Sequence, residues 1–250
     1  MLDVDGTLVP YDFAALPSPA VVDAIKKAAE KVTVCVVTGR EYGFTKHILE
    51  RLGLHTGYAV VNNGANVIEI GSEKLIYDQA IERNEAEAIV KILQEEKIAF
   101  YVKQHHLGRT LHKGPFQKGQ VLDKSYMFYV IEDYSEAKID AVFTKFSPLS
   151  HITFYKTNHA SPEKFGLNIT HVKATKLHGV EVIMKQLGLK REELIGVGDS
   201  YNDFPLLMAC GLKVAMGNAI EDLKAIADYT APPVTEDGVA DVVDKFILSE

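Results

Sequence analysis

The sequence predicts an α/β protein: a doubly wound, three-layer parallel-sheet core interrupted by a smaller inserted α+β unit. Three observations predict it. Short β-branched runs alternate with amphipathic helical patterns at both ends of the chain. The middle third changes to helices alternating with pairs of strands. Polar clusters of Asp, Thr, Asn and Lys follow the apolar runs of the outer parts, where an open parallel sheet places its ligand crevice. The 250 residues divide on this reading into a core over 1–79 and 168–250 and an insert over 80–167.

Ser18 followed by Pro19 starts the first helix, with Val21, Val22, Ile25, Ala28 and Ala29 at helical spacing. A strand is expected over 32–37, then a helix with Phe44, Ile48, Leu49 and Leu52 on one face, ended by Gly53. Residues 58–61 read as a buried strand. In the insert, a helix capped by Asn84 with Glu87 three residues on precedes strands at 98–103 and 126–131, a helix at 136–146 and a strand at 151–155. Phe128, Val130 and Tyr126 read as packing residues of the insert's sheet. The late core follows as a helix over 175–187 stopped by Gly188, a strand at 194–197, a helix after Asn202 and a strand at 212–215. Chain crossings near 77–81 and 167–173 are the expected hinges.

Composition narrows the function. The two cysteines, Cys35 and Cys210, lie in apolar segments away from any Cys/His cluster, which supports neither a disulfide framework nor a zinc site and makes a reducing cytoplasm the expected location. No apolar run approaches the roughly 20 residues that span a bilayer. A net charge of −7 argues against nucleic-acid binding, because phosphate backbones are held by clustered Lys and Arg. The charge is uneven: the insert carries 12 Lys+Arg against 11 Asp+Glu, and the core 15 against 23. An anionic substrate is therefore compatible with the total only if positive charge is local.

Four clusters supply candidates. Asp3-Val4-Asp5-Gly6-Thr7 sets two carboxylates two residues apart before a glycine turn. Thr38-Gly39-Arg40 ends a strand and opens a helix, where backbone N–H groups can hold an anion. Lys176 begins the late helix, and Gly198-Asp199-Ser200-Tyr201-Asn202-Asp203 follows the late strand. Each alone is an ordinary turn, cap or solvated lysine. Their order, each at a strand end or helix start, points to a common site.

These residues resemble the haloacid dehalogenase superfamily of phosphohydrolases, whose pattern is DxDGT, a strand-end Thr or Ser, a Lys and GDxxND. With Val61-Asn62-Asn63-Gly64-Ala65 and an insert of this size, the chain is similar to the Cof-like branch with its larger cap type. The resemblance implies a Rossmann-like core with a cap, and Mg²⁺-dependent hydrolysis of a small phosphomonoester, most often a sugar phosphate. It implies Asp3 as nucleophile and Asp5 as general acid and base. Asp3, the backbone carbonyl of Asp5, and Asp199 would hold the metal, with Asp203 a ligand or an anchor for bound water. Thr38, Gly39, Lys176 and Asn202 would hold the phosphoryl oxygens, and Asn63 would reach the phosphate or orient Lys176.

The chemistry agrees. Phosphoryl transfer needs a nucleophile, a proton for the departing alcohol and positive charge around the transferring oxygens. The carboxylates of Asp3, Asp199 and Asp203 repel one another unless a cation sits among them, and hard oxygen ligands suit Mg²⁺. Two departures stand out. Leu177 follows Lys176 where Cof-like relatives more often carry glycine, which leaves Lys173 as a competing lysine. Only Met1 and Leu2 precede Asp3, so either the chain begins inside its first strand or a segment precedes it.

The insert holds the specificity question. Between Lys97 and Asp123 no acidic residue occurs, while Lys103, His105, His106, Arg109, His112, Lys113 and Lys118 do. This stretch is either a solvated basic loop or a segment over the crevice, with Lys103, His105, Arg109 and His112 as its candidate contacts to the leaving group or to a second anion on it. Two other functions stay open: a phosphomannomutase-type transfer between sugar hydroxyls, and a binding module that keeps fold and metal without turnover. The expected partner is a small phosphorylated metabolite, with neither nucleic acid nor membrane, and the chain a monomer or homodimer.

Overall fold

The computed structural model describes residues 1–104, 122–157 and 163–249. Its first half runs α1 (Pro19–Ala29), β1 (Val36–Val37), α2 (Tyr42–Leu52), β2 (Tyr58–Val61), β3 (Asn66–Glu69) and β4 (Lys74–Asp78). The insert follows as α3 (Arg83–Glu95), β5 (Phe100–Lys103), β6 (Met127–Tyr134), α4 (Glu136–Lys145), β7 (Ile152–Thr157) and β8 (Phe165–His171). The chain then returns through α5 (Lys176–Leu187), β9 (Ile195–Gly198), α6 (Phe204–Ala209), β10 (Leu212–Ala215), α7 (Glu221–Ile226), β11 (Tyr229–Thr230) and α8 (Gly238–Val243).

Local chemistry explains the helix limits. The Ser18 hydroxyl accepts from the Val21 N–H at 3.1 Å, and Pro19 occupies the first turn of α1. Helices α2 and α5 end at Gly53 and Gly188, both left-handed. The insert's first helix differs from expectation: its cap is Glu82, and Asn84 lies inside the first turn. Ile81, bridged to Ser125 and buried, fixes the chain just ahead of the helix, which starts two residues earlier than the Asn84-Glu87 pattern suggests.

Leu2 is the seam of the central sheet. It bridges in parallel to Val36 on one side and Val197 on the other, joining β4-β3-β2-β1 to β9-β10-β11. Pairs β1–β2, β9–β10 and β10–β11 are parallel. Two features depart from the expected sheet. The run 32–37 pairs only at Val36–Val37, because a β-branched pattern makes a strand only where a partner lies alongside, and Val32 is exposed. Strands β3 and β4, which the sequence reading does not contain, form an antiparallel extension on β2. Helix α1 packs with α2 and α8, and α5 with α6, around a single apolar core.

The insert is a four-stranded antiparallel sheet in the order β5-β6-β8-β7. Phe100, Phe128, Val130, Leu167 and Ile169 pack beneath α3 and α4 in a second core. Tyr126 packs apart from this core, against Ala65 and Ala174 where insert meets core domain. The expected boundary between Leu167 and Asn168 falls inside β8, so the insert's sheet runs through His171. Among the described residues no helix is long and apolar enough to cross a membrane.

Candidate active site

Strand ends deliver the site. Asp3 follows the bridging Leu2, and its N–H donates to the Val197 carbonyl at 3.0 Å, which sets it beside the end of β9. Gly6, at φ +81°, turns the chain away, and a Cβ there would lie 2.2 Å from Asp199 Oδ2. Only glycine allows that approach. Thr38 leaves β1, and Asp199 leaves β9.

Lys176, the first residue of α5, lies wholly buried between two carboxylates, 2.5 Å from Asp3 Oδ1 and from Asp203 Oδ1. The other oxygen of Asp203 accepts from the backbone N–H groups of Asp199 (2.9 Å) and Ser200 (3.0 Å). Asp203 thus binds the lysine with one oxygen and holds the Asp199 loop with the other. Lys173, the competing lysine, is exposed, and its carbonyl accepts from the Tyr77 hydroxyl. Carboxylate oxygens of Asp3, Asp199 and Asp203 all lie within 4.8 Å of one another.

Asp5 points a different way. Arg40 grips it with a two-pronged contact, Nε to Oδ2 at 2.9 Å and a terminal nitrogen to Oδ1 at 2.5 Å. The guanidinium is itself held by the Phe13 carbonyl and lies 4.7 Å from the Phe13 ring. Its side chain is 3% exposed, against 32% for Asp5. A buried arginine is thus committed to orienting a partly open carboxylate at the crevice.

Thr38 accepts from the Arg40 N–H at its hydroxyl, and its carbonyl accepts from the Asn63 N–H. Asn62 and Asn63 both have positive φ, and this bend sets Asn63 Oδ1 where Asn202 donates to it at 3.1 Å. A Cβ on Gly39 would come 2.9 Å from the same Asn63 oxygen. Asn63 therefore lies between Gly39 and Asn202. Its amide also donates to the Met127 sulfur of β6, on the insert.

Lys103 of β5 reaches the same corner from the insert, donating to the Gly39 carbonyl at 2.9 Å and pairing with Glu41 at 3.1 Å. His105, Arg109 and His112 lie outside the described residues, as do His106, Lys113 and Lys118. The structure thus gathers Asp3, Asp5, Thr38, Gly39, Asn63, Lys176, Asp199, Asn202, Asp203 and Lys103 around one crevice.

Sequence reasoning passed over four residues. Arg40 stood in a quoted cluster without a role, although a buried arginine needs a carboxylate. Tyr11 and Thr7 both donate to Asp199, Thr7 at 3.1 Å. Glu41, 4% exposed at its side chain, is the fourth residue of the same segment. Arg40 had a signal, its place directly after Gly39. Tyr11 had none, since its loop carries no periodicity.

The electrostatics are those of a crowded anionic floor. Burial and the neighbouring Asp203 raise the Asp3 carboxyl well above the ordinary range, with Lys176 opposing. Burial and Asp203 push Asp199 up to about 7, against the lowering effect of Tyr11, Lys176 and Thr7. Burial alone would lower the Lys176 ammonium, but Asp203 and Asp3 outweigh it and raise it. Three carboxylates against one ammonium leave excess negative charge, which a hard divalent cation relieves, and the donor set of carboxylate oxygens fits one.

Comparison with known proteins identifies the family. The profile of the haloacid dehalogenase-like hydrolase family matches residues 1–243. The chain is 28% identical to phosphatase YwpJ of Bacillus subtilis, with 98% of each chain covered. It is 25% identical to a phosphoglycolate phosphatase of Methanobrevibacter smithii, covering 99% of this chain and 97% of that one. Among solved structures, the subclass IIB sugar phosphatase BT4131 superposes with a TM-score of 0.76 at 23% identity, covering 98% of this chain and 96% of the other. A crevice built from these strand ends, under a family match spanning nearly the whole chain, makes this protein a member of the haloacid dehalogenase-like hydrolases and a phosphatase among them.

Proposed function

We propose that this phosphatase hydrolyses a small phosphomonoester with Mg²⁺, through an aspartyl-phosphate on Asp3. The observation that carries the reading is the buried Lys176 ammonium fixed between Asp3 and Asp203, with Asp5 held apart from that trio by Arg40. One carboxylate is thereby set against a positive charge that suits phosphoryl oxygens, and the other is free of the trio to handle a proton.

In the first step an Asp3 carboxylate oxygen attacks phosphorus, the bond to the leaving oxygen breaks, and Asp5 gives that oxygen a proton. In the second, Asp5 takes a proton from water, the water oxygen attacks phosphorus, and the bond to Asp3 breaks to release inorganic phosphate. Lys176, Asn202, the Thr38 hydroxyl and the Gly39 N–H steady the equatorial oxygens, and Asn63 positions the Asn202 amide. Asp3, Asp199 and the Asp5 backbone carbonyl would hold Mg²⁺, with Asp203 anchoring the Asp199 loop. When bound, the ion neutralises developing charge on the phosphoryl group.

The relatives named for sugar phosphates and phosphoglycolate support a small metabolite as substrate. The test is phosphate release from a broad panel of phosphomonoesters, with and without EDTA, in the wild type and Asp3→Asn. Chelation should abolish turnover, and the substitution should reduce it by at least about 10⁴-fold. Undiminished turnover in Asp3→Asn removes the nucleophile assignment.

A further inference from the structure

Two aromatic side chains stand at the edge of the floor on one exposed turn. Tyr11 and Phe13 are 48% and 49% exposed, and they follow Val9, which is buried and bridged to Asp5. A turn this open gains little from burial, so its shape must come from its own bonds. Pro10 restricts the backbone at its start. The Asp12 N–H donates to the Pro10 carbonyl at 2.6 Å, the Asp12 carboxylate accepts from the Ala14 N–H at 2.9 Å, and the Asp12 carbonyl accepts from the Ala15 N–H at 3.0 Å. Asp12 is the centre of this closed turn, and among the described residues it bonds nothing outside it.

From the two sides of Asp12 the turn reaches two different carboxylates. Tyr11 donates its hydroxyl to Asp199 Oδ2, while the other Asp199 oxygen accepts from Thr7 at 3.1 Å. Phe13 acts on Arg40 twice: its carbonyl accepts from a terminal guanidinium nitrogen at 3.4 Å, and its ring lies 4.7 Å from the guanidinium carbon. Phe44 of α2 backs that ring, with centroids 4.6 Å apart. Arg40 in turn holds both oxygens of Asp5. One turn therefore orients Asp199 directly and Asp5 through a single intermediary.

These carboxylates have different tasks in the proposed reaction, Asp199 at the ion and Asp5 at the proton. A ligand carboxylate depends on outer hydrogen bonds to aim it, and losing them costs metal affinity. A proton donor works only within reach of the atom it serves. We infer that Tyr11 and Phe13 are positioning residues, and that the turn around Asp12 holds the metal-ligand carboxylate and the proton-handling carboxylate in a fixed relation to each other. The inference rests on the phosphatase reading and adds to it a mechanical link between the two carboxylates.

The test uses the whole chain and two readouts. Mg²⁺ affinity by isothermal titration involves no turnover. The second readout is kcat for an alkyl phosphate divided by kcat for p-nitrophenyl phosphate, whose leaving group departs without a proton. Tyr11→Phe should weaken Mg²⁺ binding by at least about tenfold and move the ratio by less than about threefold. Phe13→Ala should do the reverse, lowering the ratio about tenfold with Mg²⁺ binding within about threefold of wild type, and Phe13→Tyr should restore the ratio. The decisive variant is Pro10→Gly with Asp12→Gly, which keeps both aromatic side chains and loosens only the turn between them. It should lower Mg²⁺ affinity and the ratio together, each by at least about threefold, which a merely structural role of the turn would not do. Mg²⁺ binding by Tyr11→Phe as tight as by wild type overturns the inference, as does a double variant that moves one readout or neither. If the wild type hydrolyses neither phosphate, the phosphatase reading fails and titration alone decides for the turn. Weaker Mg²⁺ binding in Tyr11→Phe and in the double variant then upholds its hold on Asp199, and unchanged binding, or a wild type that binds no Mg²⁺, overturns it.

Discussion

The floor of the crevice and its roof, the insert's sheet, are built by opposite rules. On the floor, charge is dense and buried but paired: Lys176 bonds Asp3 and Asp203, Asp203 bonds two backbone N–H groups, Tyr11 and Thr7 bond Asp199, and Arg40 grips Asp5. On the roof the side chains are mostly neutral, and Asn168 Oδ1, Thr170 Oγ1 and Thr157 Oγ1 are buried without partners. The pairing of the floor still leaves three carboxylates around one ammonium. The two regions are joined at the corner of Gly39, Glu41 and Asn63.

The sharpest way to break this contrast is to unpair the floor. Lys176→Met should leave Asp3 and Asp203 as uncompensated buried carboxylates, and destabilise the protein by about 3–5 kcal/mol in a urea titration. A loss below about 1 kcal/mol would mean that the floor does not depend on its internal pairing.

A smaller effect tests the arginine that holds Asp5. Arg40→Lys keeps the charge but loses the fork that fixes Asp5, and kcat should fall by about 10²-fold for alkyl phosphates. The fall should be much smaller for p-nitrophenyl phosphate, whose leaving group departs without a proton. An equal fall for both would show that Arg40 serves phosphate binding and not the alignment of Asp5.

The smallest expected effect lies at the joint. Lys103→Met and Glu41→Gln each remove one side of a cap-to-core pair that is 19% and 4% exposed. In a double-mutant cycle on Tm and on kcat/KM, the two should couple by about 1 kcal/mol. Strict additivity would separate roof from floor at this corner.

Much of the floor was legible in the sequence. Asp3, Asp5, Asp199 and Asp203 sit in short motifs whose geometry is local: a turn at Gly6, and a tight loop after β9 in which Asp203 bonds the N–H of residues three and four positions earlier. The first helix was equally plain, because Ser18 and Pro19 act within one turn. The choice between Lys176 and Lys173 was not, since both lie near the start of one helix and only its register against the sheet buries the first and exposes the second. Residues 167–173, expected as a hinge, belong largely to strand β8, whose alternating apolar and polar faces are defined only by β6 and β7 beside it.

The sequence by itself determined the layered α/β class, the presence of an insert and the carboxylates of the floor, because periodicity, caps and turn chemistry act over a few residues. The tertiary structure alone decided which lysine joins Asp3 across 173 positions of chain, and which arginine holds Asp5 across 35. It also decided which face of the insert's sheet looks onto the floor. Such pairings depend on how strands are ordered in a sheet and how one domain lies on another, and a hydrogen bond between distant residues leaves no local pattern in the chain that makes it.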